Sequence, residues 1–330
     1  MTNTTLKKIS ELLGISISTA SRALKNHPDI SERTKQKVIE LANTLDYEPN
    51  ANAIYLRTSN RKLFGLLVPS ISNFFYDSFI SSVEEECRKQ QYSLMVLQSG
   101  DDPETEVNNV KLCRQNRVTG LFACITPGTE DISAFKKLNE LEIPVVFFDK
   151  VPNEDDCNKV CMADTEAAQL AAATIIARNR KKVFGLFGDT HFSITRKRMP
   201  AFEAVLQAEG KKVSYTHAIA RNAQEAYTLV HEHFSQKNHA DTIFCMSDEI
   251  LTGAMKAVQQ LKLNIPGDVG IIALSNGFIP KLYYPEITYV ETSGSKLGKL
   301  AFNRMMDCIK DHRSVSELVV ESVLVEGGSL

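Results

Sequence analysis

The chain has 330 residues, 43% of them hydrophobic and 24% charged, with 38 Lys and Arg against 40 Asp and Glu. This composition is that of a globular protein of about two domains and excludes a disordered or fibrous chain. No apolar run reaches the roughly 18 residues that a membrane helix needs, and the first residues lack the apolar segment of a secretion signal. We therefore expect a cytoplasmic protein without membrane association.

The charge is unevenly distributed along the chain. Residues 1–62 carry ten Lys and Arg against six Asp and Glu, a net charge of +4, whereas residues 63–330 carry 28 against 34, a net charge of −6. A small basic head on an acidic body is typical of a nucleic-acid-binding module joined to a domain of another function. Ordinary variation of surface charge explains these totals about equally well, so the choice depends on the local pattern.

Three short helices are predicted in this basic segment. Thr5, Ser16 and Ser31 can each cap the N-terminus of one helix, and apolar residues follow each cap at helical spacing. The tight turn over residues 13–16 joins the first two helices. Two helices joined in this way form a helix-turn-helix arrangement, which places the second helix in the major groove of DNA.

The second predicted helix carries side chains suited to reading bases. Its outward face presents Ile17, Ser18, Ser21 and Arg22. An apolar group can contact a thymine methyl, hydroxyls can bind bases or phosphates, and a guanidinium can bind guanine through two hydrogen bonds. A three-helix packing unit without a role in DNA binding is the alternative.

Residues 6–53 resemble the DNA-binding head of the LacI/GalR family of bacterial transcription regulators. The match runs through the Thr19–Arg22 core of the second helix, the Asn26–Pro28 loop and the closing Tyr47–Asn50. The resemblance implies a repressor that binds a palindromic operator in double-stranded DNA as a homodimer or a tetramer. The DNA-binding residues that we predict are Thr5, Ser16, Ile17, Ser18, Thr19, Ser21, Arg22, Lys25, Asn26, Tyr47, Asn50, Ala53 and Leu56.

A short hinge is predicted after the head. Pro49 ends the third helix, and residues 50–57 form a candidate helix that is too short to be stable alone in water. In the family this segment orders when two subunits meet on the operator, and a leucine inserts into the minor groove. The resemblance assigns that role to Leu56, with Ala53 one turn earlier, at the cost of partly unstacking the DNA. A linker residue packed on the body is the alternative for Leu56.

From residue 63 onward, apolar strands alternate with amphipathic helices. Such alternation gives parallel sheets covered on both faces, and two sets of strands imply two Rossmann-like halves with a cleft between them. This arrangement is similar to the periplasmic-binding-protein-like core of the same family. The predicted strands are 63–69, 92–98, 119–125 and 143–149 in one set and 183–188, 242–246 and 269–275 in the other, with helices at 76–90, 103–116, 195–208 and 248–261.

The predicted fold class is an all-α helix-turn-helix head with a hinge helix, joined to an α/β core of two Rossmann-like subdomains. By the resemblance, the chain crosses between the two subdomains three times. The predicted boundaries are 1–48 for the head, 49–62 for the hinge and linker, and 63–330 for the effector-binding and dimerisation core, with an N-subdomain of about 63–160 and 293–319 and a C-subdomain of about 161–292 and 320–330.

No catalytic or cofactor motif is found. The sequence has no G-x-G-x-x-G after a strand, no phosphate-binding P-loop and no serine-nucleophile elbow. His231 and His233 lie two apart and face different directions on a helix. Cys157 and Cys161 lie close together, but no histidine nearby completes a zinc set. We expect a regulator that is not an enzyme, without a cofactor or metal, whose seven cysteines are reduced thiols.

A small effector is expected in the cleft. Asp149 and Asp248 have helix capping as an alternative role, and Arg198 has that of a surface charge. The effector-binding residues predicted from the resemblance and from their positions are Ser70, Asn73, Phe74, Cys124, Asp149, Arg198, Ser247, Asp248, Ser275 and Thr292.

Several of these positions depart from the pattern of sugar-binding relatives. Ser275 stands where they often have an acid, Thr292 where they often have glutamine, Cys124 where an amide can stand and Ser247 where asparagine is common. Carboxylates and amides hold the hydroxyls of a free sugar, so this pocket has fewer such groups. We therefore favour a sugar acid, a sugar phosphate or an oligosaccharide over a simple hexose, because the guanidinium of Arg198 pairs with anions.

The subunit contact and the class of ligand leave alternatives open. The stripe of Phe79, Ile80, Val83 and Cys87 on the helix at 76–90 is a candidate dimer surface, and burial in the core explains it about equally well. A solute-binding protein would lack the basic head. A regulator whose cleft receives a protein partner instead of a small ligand is the remaining alternative.

Overall fold

The computed structural model describes residues 5–47, 62–208, 213–311 and 315–330. The chain divides into two compact units, Met1–Arg61 and Lys62–Leu330, which we call the head and the core. Among the predicted DNA-binding residues, Asn50, Ala53 and Leu56 fall outside the described residues, as does the hinge that contains them.

The head contains three helices, α1 (Leu6–Leu13), α2 (Ile17–Leu24) and α3 (Glu32–Thr44). The side chains of Thr5, Ser16 and Ser31 accept hydrogen bonds from backbone amides in the first turns of these helices, as predicted. Gly14 ends α1 in the left-handed conformation, with φ of 61°, which turns the chain so that α2 begins three residues later. Ile9, Ala23, Val38 and Ala42 form the buried core of this small bundle.

The first subdomain of the core is a six-stranded parallel sheet in the order β2-β1-β3-β4-β5-β11. Its helices lie on both faces and share two apolar clusters with the strands. The elements are β1 (Leu63–Val68), α4 (Phe74–Lys89), β2 (Ser93–Gln98), α5 (Pro103–Gln115), β3 (Gly120–Ala123), α6 (Ser133–Asn139), β4 (Val145–Phe148), β5 (Asn158–Met162), α11 (Gly294–Lys310) and β11 (Glu317–Val320).

The second subdomain repeats this plan, in the order β7-β6-β8-β9-β10-β12, and only its last strand, β12, pairs antiparallel. A single large apolar cluster fills it. The elements are α7 (Asp164–Ala177), β6 (Lys182–Phe187), α8 (Ser193–Ala208), β7 (Ser214–Ile219), α9 (Ala223–Phe234), β8 (Thr242–Cys245), α10 (Asp248–Gln260), β9 (Gly270–Ser275), a 3-10 helix (Ile279–Leu282), β10 (Thr288–Glu291) and β12 (Leu324–Val325).

The predicted fold class is confirmed: a helical head is followed by two parallel α/β subdomains. The chain passes between the sheets after β5, after β10 and between β11 and β12. The first sheet continues to Met162, two residues beyond the predicted boundary. Five strands were not predicted from the sequence, namely β5, β7, β10, β11 and β12.

The stripe on α4 is a core face, so of its two interpretations the structure supports burial in the core and not the dimer surface. Phe79, Val83 and Cys87 are fully buried, and they pack in one cluster with residues of α11. The ring of Phe79 stacks on that of Phe148 with 3.8 Å between centroids. The helical period of apolar residues therefore marked burial against the chain's own sheet and last helix.

In the part of the chain that the structure describes, no helix is long and apolar enough to cross a membrane. All seven cysteines are buried and free of disulfide bonds. Within the same ranges, no group of three His, Cys, Asp or Glu side chains is arranged to hold a metal ion.

Candidate functional site

A cavity of about 560 Å³ lies between the two subdomains of the core. Its walls are built from residues that follow β1, β2 and β4 of the first sheet and β6, β7, β8 and β10 of the second. The carboxyl ends of parallel strands meet at such an edge, and ligands of open α/β sheets bind there. Eight of the ten predicted effector residues line the cavity, namely Ser70, Asn73, Phe74, Asp149, Arg198, Ser247, Asp248 and Thr292.

Cys124 and Ser275 lie behind the cavity wall, which corrects the prediction that they line it. The thiol of Cys124 is 3.4 Å from the hydroxyl of Tyr76, which in turn donates a 2.8 Å hydrogen bond to Asp149. The Ser275 hydroxyl donates to one carboxylate oxygen of Asp248. These two side chains are buried within the sheets, so they position the cavity's carboxylates instead of contacting a ligand.

Asp149 is held at the floor of the cavity by Tyr76. It follows β4 with φ of 58°, a left-handed conformation that aspartate tolerates better than most residues and that turns its side chain away from the strand's path. Burial raises the pKa of Tyr76 well above its ordinary value, and Asp149 reinforces the shift. Tyr76 therefore stays protonated and donates to Asp149, which leaves lone pairs of this carboxylate for ligand hydroxyls.

Arg198 forms a buried ion pair that the sequence did not indicate. It lies on α8 and is only 5% exposed, so the surface-charge alternative is excluded. Two of its nitrogens lie 2.7 Å from one oxygen of Asp164, and a third donates to the carbonyl of Met246 at 3.2 Å. Burial raises the pKa of Asp164, and the guanidinium opposes that shift. The charge of Arg198 is thus balanced within the wall, which weakens the argument that it selects an anionic ligand.

Asp248 begins α10 on the other side of the cavity. The preceding Ser247 caps the helix by accepting a hydrogen bond from the amide of Ile250 at 3.3 Å. Asp248 accepts from the hydroxyl of Ser275 and, at 3.0 Å, from the amide of Asn276. Burial raises the pKa of Asp248, and these hydrogen bonds oppose the shift. Of the two serines predicted from the sequence, Ser247 therefore caps the start of α10, and Ser275 holds the carboxylate of Asp248 in place.

Other charged and aromatic residues of the cavity were missed. Like the predicted ones, most of them follow strand ends, and that position was the signal which could have found them. The guanidinium of Arg221 is paired with Glu225 at 3.0 Å, whereas the carboxylate oxygen nearest to the Lys150 ammonium among the described residues, on Asp101, is 4.0 Å away. The missed residues with charged or aromatic side chains include Tyr76, Asp101, Lys150, Asp189, Phe192, Arg221 and Glu249.

In the head, α2 exposes part of the predicted reading face. Ile17 is 48% exposed, and Ser18, Arg22 and Lys25 are exposed as well. Ser21 is only 9% exposed, so its prediction as an outward-facing base contact is not supported by the packing of the head. The guanidinium of Arg22 is 3.9 Å from Asp29, a distance at which an exposed ion pair is weak and leaves the arginine available.

The N-terminus of α2 carries a cluster of hydroxyl groups. The hydroxyl of Ser16 lies 2.7 Å from that of Ser18 and 2.8 Å from that of Thr19. Asn26 follows α2 with φ of 53°, and Tyr47 is half-buried against the head's core, where burial raises its pKa. Hydroxyls and free amides at a helix N-terminus form a surface that suits phosphate oxygens.

Comparisons with known proteins agree with this geometry. Residues 5–50 match the model of bacterial regulatory proteins of the lacI family, and residues 61–322 match that of the periplasmic binding proteins and sugar binding domain of the LacI family. The chain belongs to the LacI family. It is a DNA-binding transcriptional repressor with an effector-binding core, and as such a regulator and not an enzyme.

The similarity of this LacI-family chain to relatives and solved structures covers most of its length. It is 25% identical over 309 residues to the HTH-type transcriptional repressor PurR of Vibrio vulnificus, covering 93% of this chain and 92% of that one. The lac repressor dimer bound to operator and the anti-inducer ONPF shares the fold, with a TM-score of 0.86, 18% identity and coverage of 99% and 98%. A LacI-family regulator from Enterococcus faecalis with bound ribose has a TM-score of 0.72 at 22% identity, covering 81% and 98%.

The first prediction concerns the buried pair of Arg198 and Asp164. Replacing Arg198 by Ala leaves a buried carboxylate without its partner, so we expect R198A to lose about 3–5 kcal/mol of unfolding free energy in urea titrations. The matched control is R178A, whose exposed partner Glu326 lies 2.7 Å away. Such an exposed pair contributes about 1 kcal/mol at most. Equal unfolding midpoints for R198A and R178A would contradict the assignment.

The second prediction is a pH dependence that arises from Asp248. Because the folded state raises the pKa of this acid, it binds the proton more tightly than the unfolded chain does. The wild-type protein therefore gains unfolding free energy as pH falls through the folded-state pKa, and the gain is complete below the unfolded value of about 3.9. D248N lacks that gain. We expect its unfolding free energy relative to wild type to decrease as pH is lowered, and a constant difference across the titration would refute the prediction.

Proposed function

We propose that this repressor binds a palindromic operator as a homodimer and that a hydroxylated, carbohydrate-derived effector in the cavity of the core changes its affinity for DNA. The observation that carries the proposal is the 560 Å³ cavity at the strand carboxyl ends, in a chain whose head exposes Ile17, Ser18 and Arg22 on α2. A structural relative binds operator as a dimer, and other relatives hold ribose and D-xylulofuranose. Aspartates in the wall supply acceptors for hydroxyl groups of that kind.

In this proposal, α2 reads the operator half-site and the hydroxyl cluster of Ser16, Ser18 and Thr19 faces the phosphate backbone. Ile17 contacts a thymine methyl, and Arg22 binds guanine through its guanidinium. Leu56, which lies outside the described residues, stays a prediction for insertion at the central base step. Phosphate contacts set the position of the head, and the base contacts supply sequence specificity.

The effector acts through the relative placement of the two subdomains. In the described part of the core, the chain passes between them three times, and contacts across the cleft include a 2.8 Å hydrogen bond from the Asn276 side chain to the carbonyl of Phe74. A ligand that touches both walls stabilises one placement over others. It can shift DNA affinity only to the extent that it binds one of the two states more tightly.

Selection of bound duplexes from a random library tests this function and is the third prediction. We expect enrichment of an inverted repeat. We also expect R22A to lose about 1–3 kcal/mol of binding free energy per half-site, because each head loses one guanine contact. The control is R33A, which changes an exposed arginine on α3. Enrichment of no symmetric site by the wild-type protein, with or without candidate sugars, would overturn the proposal.

The subunit contact is proposed at an exposed apolar patch that spans both subdomains. Tyr284 is fully exposed and Leu282 is 63% exposed, which is costly for an isolated monomer surface. The ring of Phe278 lies 5.9 Å from that of Phe74, so the patch continues from the second subdomain to the first. Ile71 is also exposed, and its backbone amide donates a hydrogen bond to Gln98 at the end of the edge strand β2. Ile71 therefore extends the patch toward the edge of the first sheet. A second copy covers this patch by two-fold symmetry.

The fourth prediction tests this patch. We expect L282E to weaken the dimer at least about 100-fold in sedimentation experiments, because a charge would be buried at the contact. Operator affinity should fall in parallel. Leu141, 55% exposed, lies at the opposite end of the first sheet, and L141E is the matched control. A dimer unaffected by L282E would place the subunit contact elsewhere.

A further inference from the structure

Lys150 is an enclosed cation that the proposed function has not used. It follows Asp149 at the end of β4, lines the cavity and has a side chain that is only 12% exposed. Its ammonium nitrogen lies 3.5 Å from the ring centre of Phe192 and 5.9 Å from that of Tyr76. The nearest carboxylate oxygen, on Asp101, is 4.0 Å away. The ammonium group donates no hydrogen bond to any residue that the structure describes.

The two arginines of the cavity differ from Lys150 in this respect. Arg198 has two nitrogens 2.7 Å from Asp164, and Arg221 pairs with Glu225 through contacts of 3.0 and 3.2 Å. Among the cavity cations in the described ranges, Lys150 alone thus keeps its hydrogen-bond donors free. An aromatic ring attracts a cation through its face but does not satisfy three N–H donors, and a donor left without an acceptor in an enclosed site is unfavourable.

The carboxylates of Asp149, beside Lys150, and of Asp248, in the other subdomain, are arranged differently. Asp149 accepts from Tyr76, and Asp248 accepts from Ser275 and Asn276, so internal donors offset part of their charge. Their remaining lone pairs suit hydroxyl groups, which donate. Lys150 needs a group that only accepts. One ligand meets both requirements if it carries hydroxyls and, at one end, an anionic oxygen group.

We propose that Lys150 binds the anionic oxygen group, a carboxylate or a phosphate ester, of a hydroxylated effector. This inference rests on the proposed function and moves the anion-binding role that the sequence suggested for Arg198 to the neighbouring wall. Phe192 precedes α8 in the second subdomain, whereas Lys150 belongs to the first. A ligand that draws the ammonium away from this ring therefore changes a contact across the cleft.

The fifth prediction tests this role with the full-length protein without DNA, by the thermal unfolding midpoint. The probes are sodium phosphate, sodium gluconate and glucose 6-phosphate, each compared with sodium chloride at equal ionic strength, and neutral glucose. We expect phosphate and at least one of the two sugar anions to raise the midpoint of the wild-type protein above that in chloride. The apparent affinity for these anions should be at least about tenfold weaker in K150M and retained in K150R.

The matched control is K256M. Lys256 lies on α10 outside the cavity lining, and its ammonium is 4.9 Å from the ring centre of Tyr227. Phosphate bound by the basic head stabilises all variants equally, so only a difference between K150M and K256M counts. Gluconate acting without glucose 6-phosphate identifies a carboxylate, and the reverse identifies a phosphate ester. An equal phosphate response in K150M and wild type, or no response beyond that to chloride, overturns the role of Lys150. Failure of the proposed function would appear separately, as the absence of a selected operator.

Discussion

Parallel strand pairing determines most of what the core presents to a ligand. In both sheets the principal strands run in the same direction, so each strand ends at the edge that faces the other subdomain. The residue that follows a buried strand is the first one free to be polar, and several such residues converge on one cavity. Asp149, Ser70 and Thr292 come from distant parts of the sequence but lie at equivalent positions at the ends of β4, β1 and β10.

Charge balance within the cavity walls decides which groups remain for an effector. A buried charge is stable only when it is paired or hydrogen-bonded, and the wall meets this requirement internally for Arg198, with Asp164, and for Asp248, with Ser275 and Asn276. These pairs hold the side chains in one geometry before any ligand arrives. Specificity then comes from groups with unsatisfied donors or acceptors, of which Lys150 is the clearest.

Local patterns predicted the elements well and the partners of individual side chains poorly. The seven predicted strands were bounded apolar runs, and each is a strand within two residues at either end. Strands such as β7, which lies at a sheet edge and contains exposed and half-buried residues without a fully buried one, lacked that signal. The stripe of α4 showed that one face is buried, but no periodicity tells whether the chain itself or a second subunit buries it. Ser21 has the spacing of an outward residue, and its burial depends on how the three helices of the head pack.

By itself, the sequence determined the three capped helices of the head, the alternation of strands and helices in the core, and the lack of a recognisable catalytic motif. These features depend on residues within about a dozen positions of one another, over which capping and hydrophobic periodicity act. Only the tertiary structure decided that Arg198 is neutralised by Asp164, 34 residues away, that Cys124 and Ser275 support the wall from behind, and that Lys150 keeps its donors free. Each of these outcomes depends on which side chains the packed sheets bring within about 4 Å of one another, where charges interact strongly. Residues far apart in the sequence meet in this way, so their spacing along the chain does not reveal the contact.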